Sequence, residues 1–435
     1  MYRRNLGQSI TDAMGDTPVV LLIGARQTGK STLAREMNPA SAYVTFDDTF
    51  TLASARDDPQ GFVRALPRPV VLDEIQLVPE IFRSIKAEVD RDRQAGSFLL
   101  TGSANVFLLP RLAESLAGRM EVLTLWPLSQ GEIEGTVEGF IDILFSDKPL
   151  ALLPSSETRQ SLLRRAITGG YPELVVRRDP RRRAAWLRSY TTTVLQRDVR
   201  DLANIEALTE LPRLLRLLAA RAGSLLNVAS LSNEMAVPQT SLRRYLNLLQ
   251  ATFVVQTLPA WSTNVGRRSV RTPKFFLNDA GLLAHLTGIG PGSLPSSPDA
   301  AGPLMESFVV MELRKQATWS DQRPEIFFFR THDGLEVDVL LENAAGQIVG
   351  IEVKASASPQ KADFRGLTFL RDVLGDRFVR GVLLYTGEHT LPFGDRLWAM
   401  PVDALWRLGA LPQTGDRQGS SRALRSRHKP RGGHP

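Results

Sequence analysis

A chain of 435 residues exceeds a single ordinary domain, so its length predicts two to four units that each bury a core. Hydrophobic residues make up 43% and charged residues 23%, a globular composition that excludes a mostly disordered chain. The sequence has no cysteine, which excludes disulfides, thiolate nucleophiles and cysteine-ligated zinc and leaves an oxygen-ligated cation such as Mg²⁺ open.

The net charge of +7 is concentrated at the C-terminus. Residues 413–435 contain six Lys or Arg and one Asp, so they carry +5 of the total. Their Gly, Ser and Arg composition predicts a basic disordered tail over 412–435, either a solubilising segment or a contact for nucleic acid. No apolar run is long enough to span a bilayer and no signal peptide is evident, so we expect a cytoplasmic protein without a membrane partner.

Short apolar runs alternate with amphipathic stretches in the first third of the chain. This alternation predicts strands joined by helices in a parallel α/β sheet. The expected strands are 19–23, 43–46, 70–72 and 98–100, with helices over 31–37 and 81–89. Residues 131–226 are predicted to be mainly helical, because apolar residues recur there at helical spacing.

The segment after the first predicted strand matches G-x-x-x-x-G-K-[ST], the pattern of a phosphate-binding loop, and it opens a predicted helix. Backbone N–H groups of such a loop surround phosphates, Lys30 reaches the β- and γ-phosphates, and Ser31 binds magnesium. The motif therefore predicts ATP and Mg²⁺ as cofactors, the alternative being a fortuitous glycine turn. The expected nucleotide-binding residues are Gly24, Ala25, Arg26, Gln27, Thr28, Gly29, Lys30, Ser31 and Thr32.

Two carboxylates, Asp73 and Glu74, follow the apolar strand at 70–72. We expect Asp73 to hold the magnesium and Glu74 to polarise the attacking water as general base. Taken alone, the segment is equally a strand that ends in a solvated acidic turn. Its place some forty residues after the phosphate-binding loop, on the same predicted sheet, favours the catalytic interpretation.

Small polar residues end the apolar strand at 98–100. We expect Ser103, with Asn105 as second choice, to sense the γ-phosphate; the alternative is a glycine turn capped by Ser103. Arg119 is a candidate for stabilising transition-state charge, acting within its own subunit or on a neighbour in a homo-oligomer. The alternative for Arg119 is an ordinary exposed arginine.

Residues 226–290 predict two helices separated by Val237-Pro238 and followed by two strands, the order of a winged helix-turn-helix. The start of the second helix offers amide, hydroxyl and guanidinium groups suited to double-stranded DNA. These candidate DNA contacts are Gln239, Thr240, Arg243 and Arg244. The alternative is a unit that packs against protein. The Gly-, Pro- and Ser-rich residues 288–303 predict a linker.

Two alternating strands joined by a short turn predict a hairpin near the end of the chain. With the turn centred on Ala345, Asp338 faces Glu352 and Glu336 faces Lys354. We expect these four polar residues on one face, with the hairpin's apolar residues, Val337, Val339, Leu341, Val349, Ile351 and Val353, on the other.

Facing carboxylates repel unless a cation lies between them, so Asp338 and Glu352 predict a magnesium site. Lys354 would steady a phosphate or an attacking hydroxide, and Glu306, on a helix predicted over 304–315, would add a further acid. This is the D…E-x-K pattern of nucleases that cut phosphodiesters with metal-activated water. The alternative is an ordinary surface pair of Glu336 with Lys354 on a binding module.

Several segments together resemble one family, among them GARQTGKST, VVLDEIQLVPEIF, FLLTGSANVF, TPKFFLNDAGLL and GLEVDVLLE. They are similar, in the same order, to prokaryotic AAA-type P-loop ATPases with a C-terminal restriction-endonuclease-like domain of unknown function. The resemblance runs from Tyr2 to about Leu411. It implies ATP binding and hydrolysis, with Lys30, Ser31, Asp73 and Glu74 at the family's motif positions.

The predicted fold class is therefore α/β, combining an AAA-type P-loop NTPase sheet, a helical lid, a winged helix and a restriction-endonuclease-like domain. The expected function is a Mg²⁺-dependent ATPase acting as a switch or motor coupled to the nuclease-like domain. The alternative is a regulatory ATPase whose C-terminal modules are inactive and bind protein. The predicted units are the ATPase domain over 1–130, the lid over 131–225, the winged helix over 226–290, the nuclease-like domain over 304–411 and the tail over 412–435.

Overall fold

The computed structural model describes residues 2–37, 41–103, 116–150, 154–198, 210–263 and 272–413. Asn105 and almost all of the predicted tail lie outside these residues. Within them, no helix has both the length and the apolar composition needed to cross a membrane.

The N-terminal unit alternates strands with helices. Its elements are α1 (Gly7–Asp16), β1 (Val19–Ile23), α2 (Lys30–Met37), β2 (Ala42–Thr45), α3 (Thr49–Asp57), α4 (Pro59–Ala65), β3 (Val70–Asp73), α5 (Ile81–Arg91), β4 (Phe98–Gly102) and β5 (Met120–Thr124). The strands form one sheet in the order β2-β3-β4-β1-β5, with every neighbouring pair parallel. The predicted parallel α/β sheet is confirmed.

Helices cover both faces of this sheet, which explains why β1 is buried along its whole length. Val20 and Leu22 pack with residues of α1 and α2. Val19, Leu21 and Ile23 pack in a second cluster together with residues of α3, α4 and α5. The order of the strands places the ends of β3 and β4 beside the end of β1, so the three predicted motifs meet at one edge.

The middle of the chain is mainly helical, as predicted. Its elements are α6 (Gln130–Glu134), β6 (Thr136–Val137), α7 (Phe140–Leu144), α8 (Arg159–Thr168), α9 (Pro172–Val176), α10 (Pro180–Thr193) with a π-helical turn (Val194–Asp198), α11 (Leu211–Ala219), α12 (Val228–Met235), α13 (Gln239–Ala251), β7 (Val255–Leu258), β8 (Lys274–Leu277) and α14 (Ala280–Leu286). Ala236, with φ of 56°, makes the turn between α12 and α13, and β7 pairs antiparallel with β8. These elements have the predicted order; the winged-helix assignment stays a prediction.

The C-terminal unit is a second α/β layer. Its elements are α15 (Pro298–Gln316), β9 (Glu325–Arg330), β10 (Glu336–Glu342), β11 (Ile348–Lys354), α16 (Arg365–Leu374), β12 (Phe378–Tyr385), β13 (Leu391–Pro392), β14 (Leu397–Pro401), α17 (Ala404–Arg407) and β15 (Leu411–Pro412). The sheet runs β13-β14-β12-β11-β10-β9, with β11, β12 and β14 parallel and the remaining pairs antiparallel. The restriction-endonuclease-like assignment of this sheet stays a prediction.

The β10–β11 hairpin has the predicted register, since Val339 pairs with Ile351 and Leu341 with Val349. One predicted side chain lies elsewhere: Val337 packs in the cluster that contains α16, whereas Val339 belongs to the cluster that contains α15. The physical reason is a shift in the pairing of β10 with β9 between Val337 and Leu340.

The predicted linker over 288–303 is wrong in its last six residues, because α15 begins at Pro298. Ser297 caps this helix by accepting a hydrogen bond from the N–H of Ala300 at 3.2 Å, and Pro298 occupies the first helical position, where it is favoured. Ala301 is fully buried. The helix tolerates Pro303 because it is anchored on both sides of it, by this cap and by a buried C-terminal half.

The units share contacts that the predicted boundaries separate. β6, in the predicted lid region, pairs with β15 at the end of the C-terminal unit, with Val137 opposite Leu411. One continuous cluster of buried apolar side chains extends from β1 through α8 and α14 to α15. The described parts of the chain therefore form a shared core.

Candidate active site

The loop between β1 and α2 is shaped by glycine and by positive backbone angles. Gly24 has φ of 153°, and a Cβ atom there would lie 2.2 Å from the carbonyl oxygen of Leu125. Gln27 and Gly29 also have positive φ, at 62° and 95°. Positive φ angles are typical of loops whose backbone N–H groups form a concave surface that suits an anion.

Lys30, the first residue of α2, is buried with its ammonium group inside this loop. The ammonium donates to the carbonyl oxygens of Gly24 at 3.0 Å and Ala25 at 2.9 Å. Thr28 is fully buried and its hydroxyl donates to the same Ala25 carbonyl at 2.9 Å. The predicted phosphate-binding residues therefore form one compact loop at the N-terminus of α2, where the helix dipole adds positive potential.

Arg4 holds the loop from outside the motif, and the sequence analysis missed it. Its guanidinium donates to the carbonyl oxygens of Thr28 at 2.7 Å and Trp126 at 2.6 Å, and to Glu132 at 3.1 Å. Glu132 lies in α6, beyond the end of the ATPase sheet. The Arg3-Arg4 pair near the N-terminus carries no local sequence signal for this contact.

Asp73, at the end of β3, accepts hydrogen bonds from three hydroxyl groups. Ser31 donates to its Oδ1 at 2.9 Å, Thr101 donates to the same oxygen, and Tyr43 donates to Oδ2. Burial and the bond to Asp73 raise the pKa of Tyr43 to about 12, so Tyr43 stays protonated. Ser31 and Asp73 thus meet as predicted, and they offer hard oxygen atoms that fit Mg²⁺. Thr101 and Tyr43 were not predicted.

Glu74 and Ser103 are also brought together. Glu74 has a left-handed backbone, with φ of 59°, which is costly for a residue with a side chain and recurs at functional sites. Its carboxylate accepts from the hydroxyl of Ser103 at 3.2 Å and from the amide of Gln76. The Gln76 amide also donates to Ser103 Oγ at 2.9 Å and accepts from the Ser103 N–H at 3.2 Å. Gln76, which links the two, was not predicted.

Arg119 does not reach the site of its own subunit. It precedes β5, its carbonyl oxygen accepts from the N–H of Val19 at 3.3 Å, and its guanidinium pairs with Asp90. Val19 starts β1 whereas the phosphate-binding loop follows its end, about 13 Å away at 3.3 Å per residue. The predicted role within the same subunit is therefore wrong; a role on a neighbouring subunit stays a prediction.

A second carboxylate cluster lies on the C-terminal unit, which we name the acidic face: Glu306 of α15, Glu336 and Asp338 of β10, and Glu352 of β11. The ammonium of Lys274, from β8, lies 2.8 Å from Glu306 and 3.7 Å from Asp338, and it pairs with Glu336. Burial acts to lower the pKa of Lys274, but the carboxylates outweigh it and raise that pKa, so Lys274 is charged.

The magnesium site expected between Asp338 and Glu352 stays a prediction, and both carboxylates have other partners in the structure. Asp338 Oδ2 accepts from the N–H of Val353 at 2.9 Å, and Glu352 is paired with Lys354 at 2.8 Å. Among the described residues no three His, Cys, Asp or Glu side chains are arranged to hold a metal ion. Nor is the alternative pair of Glu336 with Lys354 formed, because Lys274 and Arg330 take Glu336 instead.

Burial and the nearby Asp338 carboxylate raise the pKa of Glu352 to about 8 and that of Glu306 to about 7. Lys274 and Lys354 therefore do not outweigh the burial and mutual repulsion of these acids. The charge of the acidic face is lowered by its ammonium partners and by burial, which favours the protonated forms of Glu306 and Glu352.

The candidate DNA contacts lie together and are exposed to solvent. Gln239, Thr240, Arg243 and Arg244 occupy the first two turns of α13. Their placement agrees with the sequence, and their role stays a prediction.

The parallel sheet of order β2-β3-β4-β1-β5, with a phosphate-binding loop, an acidic strand end and a polar strand end at one edge, defines a P-loop AAA-type ATPase. The model of the family described as an AAA domain matches residues 16–134. Two further families, both described as domains of unknown function, match residues 159–293 (DUF8612) and 301–405 (DUF4143).

Two curated relatives match nearly the whole chain. Over 413 residues it is 31% identical to the uncharacterized protein Rv2008c of Mycobacterium tuberculosis and to the uncharacterized protein Mb2031c of Mycobacterium bovis, covering 94% of this chain and 86% of each relative. The chain belongs to the family of these mycobacterial proteins.

Solved structures match more distantly. The Walker-type ATPase PABY2304 of Pyrococcus abyssi is 15% identical, with a TM-score of 0.42 over 66% of this chain and 96% of that one. The RuvB Holliday junction branch migration motor of Thermotoga maritima is 16% identical, with a TM-score of 0.27 over 58% and 88%.

Proposed function

We propose that the protein hydrolyses ATP with Mg²⁺ and that the nucleotide state sets the position of the C-terminal unit, so that the protein acts as a molecular switch. The observation that carries the proposal is the hydrogen bond of Ser31, in the phosphate-binding loop, to Asp73 at the end of β3. It joins a residue in the first turn of α2 to the acidic end of β3, as a shared Mg²⁺ site requires.

Each residue of the site has a role in this proposal. The loop N–H groups and Lys30 bind the triphosphate. Ser31 and Asp73 hold Mg²⁺, which when bound neutralises charge on the phosphate oxygens. Glu74 orients and deprotonates the attacking water, while Ser103 and Gln76 fix its carboxylate.

A chain of buried polar contacts supports the coupling to the C-terminal unit. Arg4 binds both the phosphate-binding loop and Glu132 of α6. The N–H of Gln130, at the start of α6, donates to Glu312 of α15 at 2.9 Å, and Glu312 is fully buried. The ammonium group of Lys315 also pairs with the Glu312 carboxylate, at 2.6 Å. Buried polar networks have few satisfied arrangements, so a shift of the loop is transmitted to α15 rather than absorbed.

The first test compares Lys30→Ala with Glu74→Gln. We expect Lys30→Ala to lose ATP binding, whereas Glu74→Gln keeps binding and loses turnover by at least about 100-fold. Binding is followed with a fluorescent ATP analogue and turnover by phosphate release. Wild-type turnover in both variants would refute the assignment of the site.

The second test concerns the switch. In the Glu74→Gln protein, which retains ATP, hydrogen exchange in α15 should change when ATP is added. Glu312→Gln in the same background should weaken that change, because it removes the charge that binds Lys315. Equal exchange with and without ATP would exclude coupling through α15 while leaving hydrolysis intact.

A second candidate, an ATPase that acts on DNA, is favoured by the exposed polar start of α13. Addition of double-stranded DNA should then stimulate ATP hydrolysis, and Arg243→Ala with Arg244→Ala should abolish the stimulation without changing the basal rate. Absence of stimulation leaves the regulatory ATPase, whose C-terminal unit binds protein.

A further inference from the structure

Lys274 is a buried lysine whose side chain extends from its own unit to the C-terminal unit. It is the first residue of β8, which is buried throughout and pairs with β7. A β-bridge to Leu225 fixes its backbone further, and only 3% of Lys274 is exposed. The strand thus holds the side chain in one direction, across the boundary between the predicted winged helix and the C-terminal unit.

The ammonium group ends among carboxylates of two different elements. Glu306 belongs to α15, whereas Glu336 and Asp338 belong to β10. The ring of Phe328 covers the ammonium, with its centroid 5.7 Å away. One lysine therefore joins the middle of the chain to both the first helix and a central strand of the C-terminal unit.

These contacts leave the acidic face unfit for a divalent cation. Mg²⁺ requires about six oxygen ligands at roughly 2.1 Å. One carboxylate oxygen of Asp338 already accepts a hydrogen bond from the N–H of Val353. A divalent cation beside Asp338 would also lie a few ångströms from the ammonium of Lys274, where like charges repel strongly at low dielectric. The residues fit a buried ammonium with several acceptors.

We infer that Lys274 occupies the acidic face in place of a metal ion, and that this contact is a latch that fastens β8 to the C-terminal unit. The face is accordingly a binding site for a primary ammonium group of the chain itself, and it is not a nuclease centre. The inference does not depend on ATP hydrolysis.

The first measurement tests metal binding directly. Mn²⁺ is titrated by calorimetry into the full-length protein without nucleotide and into Asp338→Asn. We expect the same heats for both, because the acidic face takes up no metal in either. Mn²⁺ binding by the wild type that disappears in Asp338→Asn would overturn the inference.

The second measurement removes the cation. Lys274→Met keeps the length of the side chain and leaves buried carboxylates without their partner, so we expect the thermal midpoint to fall by about 10 °C. Lys274→Arg retains the positive charge and should stay closer to the wild type. Failure of Lys274→Met alone to fold would also support the latch, whereas a wild-type midpoint for Lys274→Met would refute it.

Discussion

Two carboxylates in this protein, Asp73 at the end of β3 and Asp338 within β10, meet different partners. Asp73 accepts hydrogen bonds from the hydroxyl groups of Ser31, Thr101 and Tyr43. Asp338 lies 3.7 Å from the ammonium group of Lys274. A hydroxyl group leaves the negative charge of a carboxylate in place, whereas an ammonium group cancels it. Only the first arrangement retains the charge that attracts a metal ion.

The largest expected effect is on ATP hydrolysis, and it should distinguish Asp73 from Asp338. Asp73→Asn should lower ATP hydrolysis by about 100-fold or more, because it removes the charge that holds Mg²⁺. Asp338→Asn serves as the matched control and should leave the rate unchanged. Phosphate release at saturating ATP and Mg²⁺ measures both variants; a comparable loss in Asp338→Asn would mean that the acidic face takes part in hydrolysis.

A smaller effect is expected from a partner of Asp73. Tyr43→Phe removes one hydrogen bond to the carboxylate, and such bonds to charged groups contribute about 1.5–3 kcal/mol, so we expect roughly a tenfold higher Mg²⁺ requirement. The ring is kept, and with it the stacking of Arg35, 3.9 Å from the ring centroid. The Mg²⁺ dependence of hydrolysis tests this, and an unchanged dependence would show that Tyr43 does not orient Asp73.

A third carboxylate, that of Glu138, is buried and accepts hydrogen bonds from uncharged N–H groups. It accepts from Asn5 and from the N–H of Gly131. Burial, together with the carboxylates of Glu312 and Glu132, raises its pKa to about 8 from 4.5. This carboxyl therefore takes up a proton in the folded state.

The sign of the pH effect follows from that raised pKa. The contribution of Glu138 to stability is complete below pH 4.5 and is lost as the pH rises through 8. We expect the thermal midpoint of the wild type to fall between pH 4.5 and about pH 8, and Glu138→Gln to reduce this fall. Glu36→Gln, on the exposed surface of α2, is the control. An unchanged slope in Glu138→Gln would mean that another group titrates.

The smallest effect is expected at Arg119. Its pair with Asp90 is partly exposed, and such pairs contribute at most about 1 kcal/mol. Arg119→Ala should therefore leave ATP hydrolysis at low protein concentration within about twofold of the wild type, because Arg119 lies at the far edge of the sheet. A larger loss that appears only as protein concentration rises would identify action on a neighbouring subunit.

The sequence was sufficient wherever partners lie on adjacent strands or in one motif. The phosphate-binding loop, Asp73 and Ser103 meet because parallel strands end at one edge, and the register of the β10–β11 hairpin follows from its turn. The contact of Lys274 with that hairpin could not be predicted, because the two are far apart along the chain. Lys274 lies in β8, in another unit, and no local sequence pattern predicts the position of its ammonium group.

The start of α15 was predicted wrongly for a different reason. Residues 288–303 are rich in Gly, Pro and Ser, which is typical of a linker. This composition does not reveal the helix-start signal within the segment. Ser297 followed by Pro298 and an acidic residue is a helix start, and the structure follows this order. The helix forms there because Ala301 and the residues after it bury apolar surface, which a count of Gly, Pro and Ser does not register.

The crowding at Gly24 decides which substitutions are informative in this protein. A methyl group there would strike the backbone of Leu125, so alanine would force β1 away from the chain that leaves β5. A defective Gly24→Ala protein would thus report on the integrity of the sheet. Gly29 has open space, with Arg4 3.9 Å from the position of an added Cβ, although its φ of 95° makes any side chain costly. Replacing Lys30 is consequently a cleaner probe of ligand binding than replacing Gly24 or Gly29.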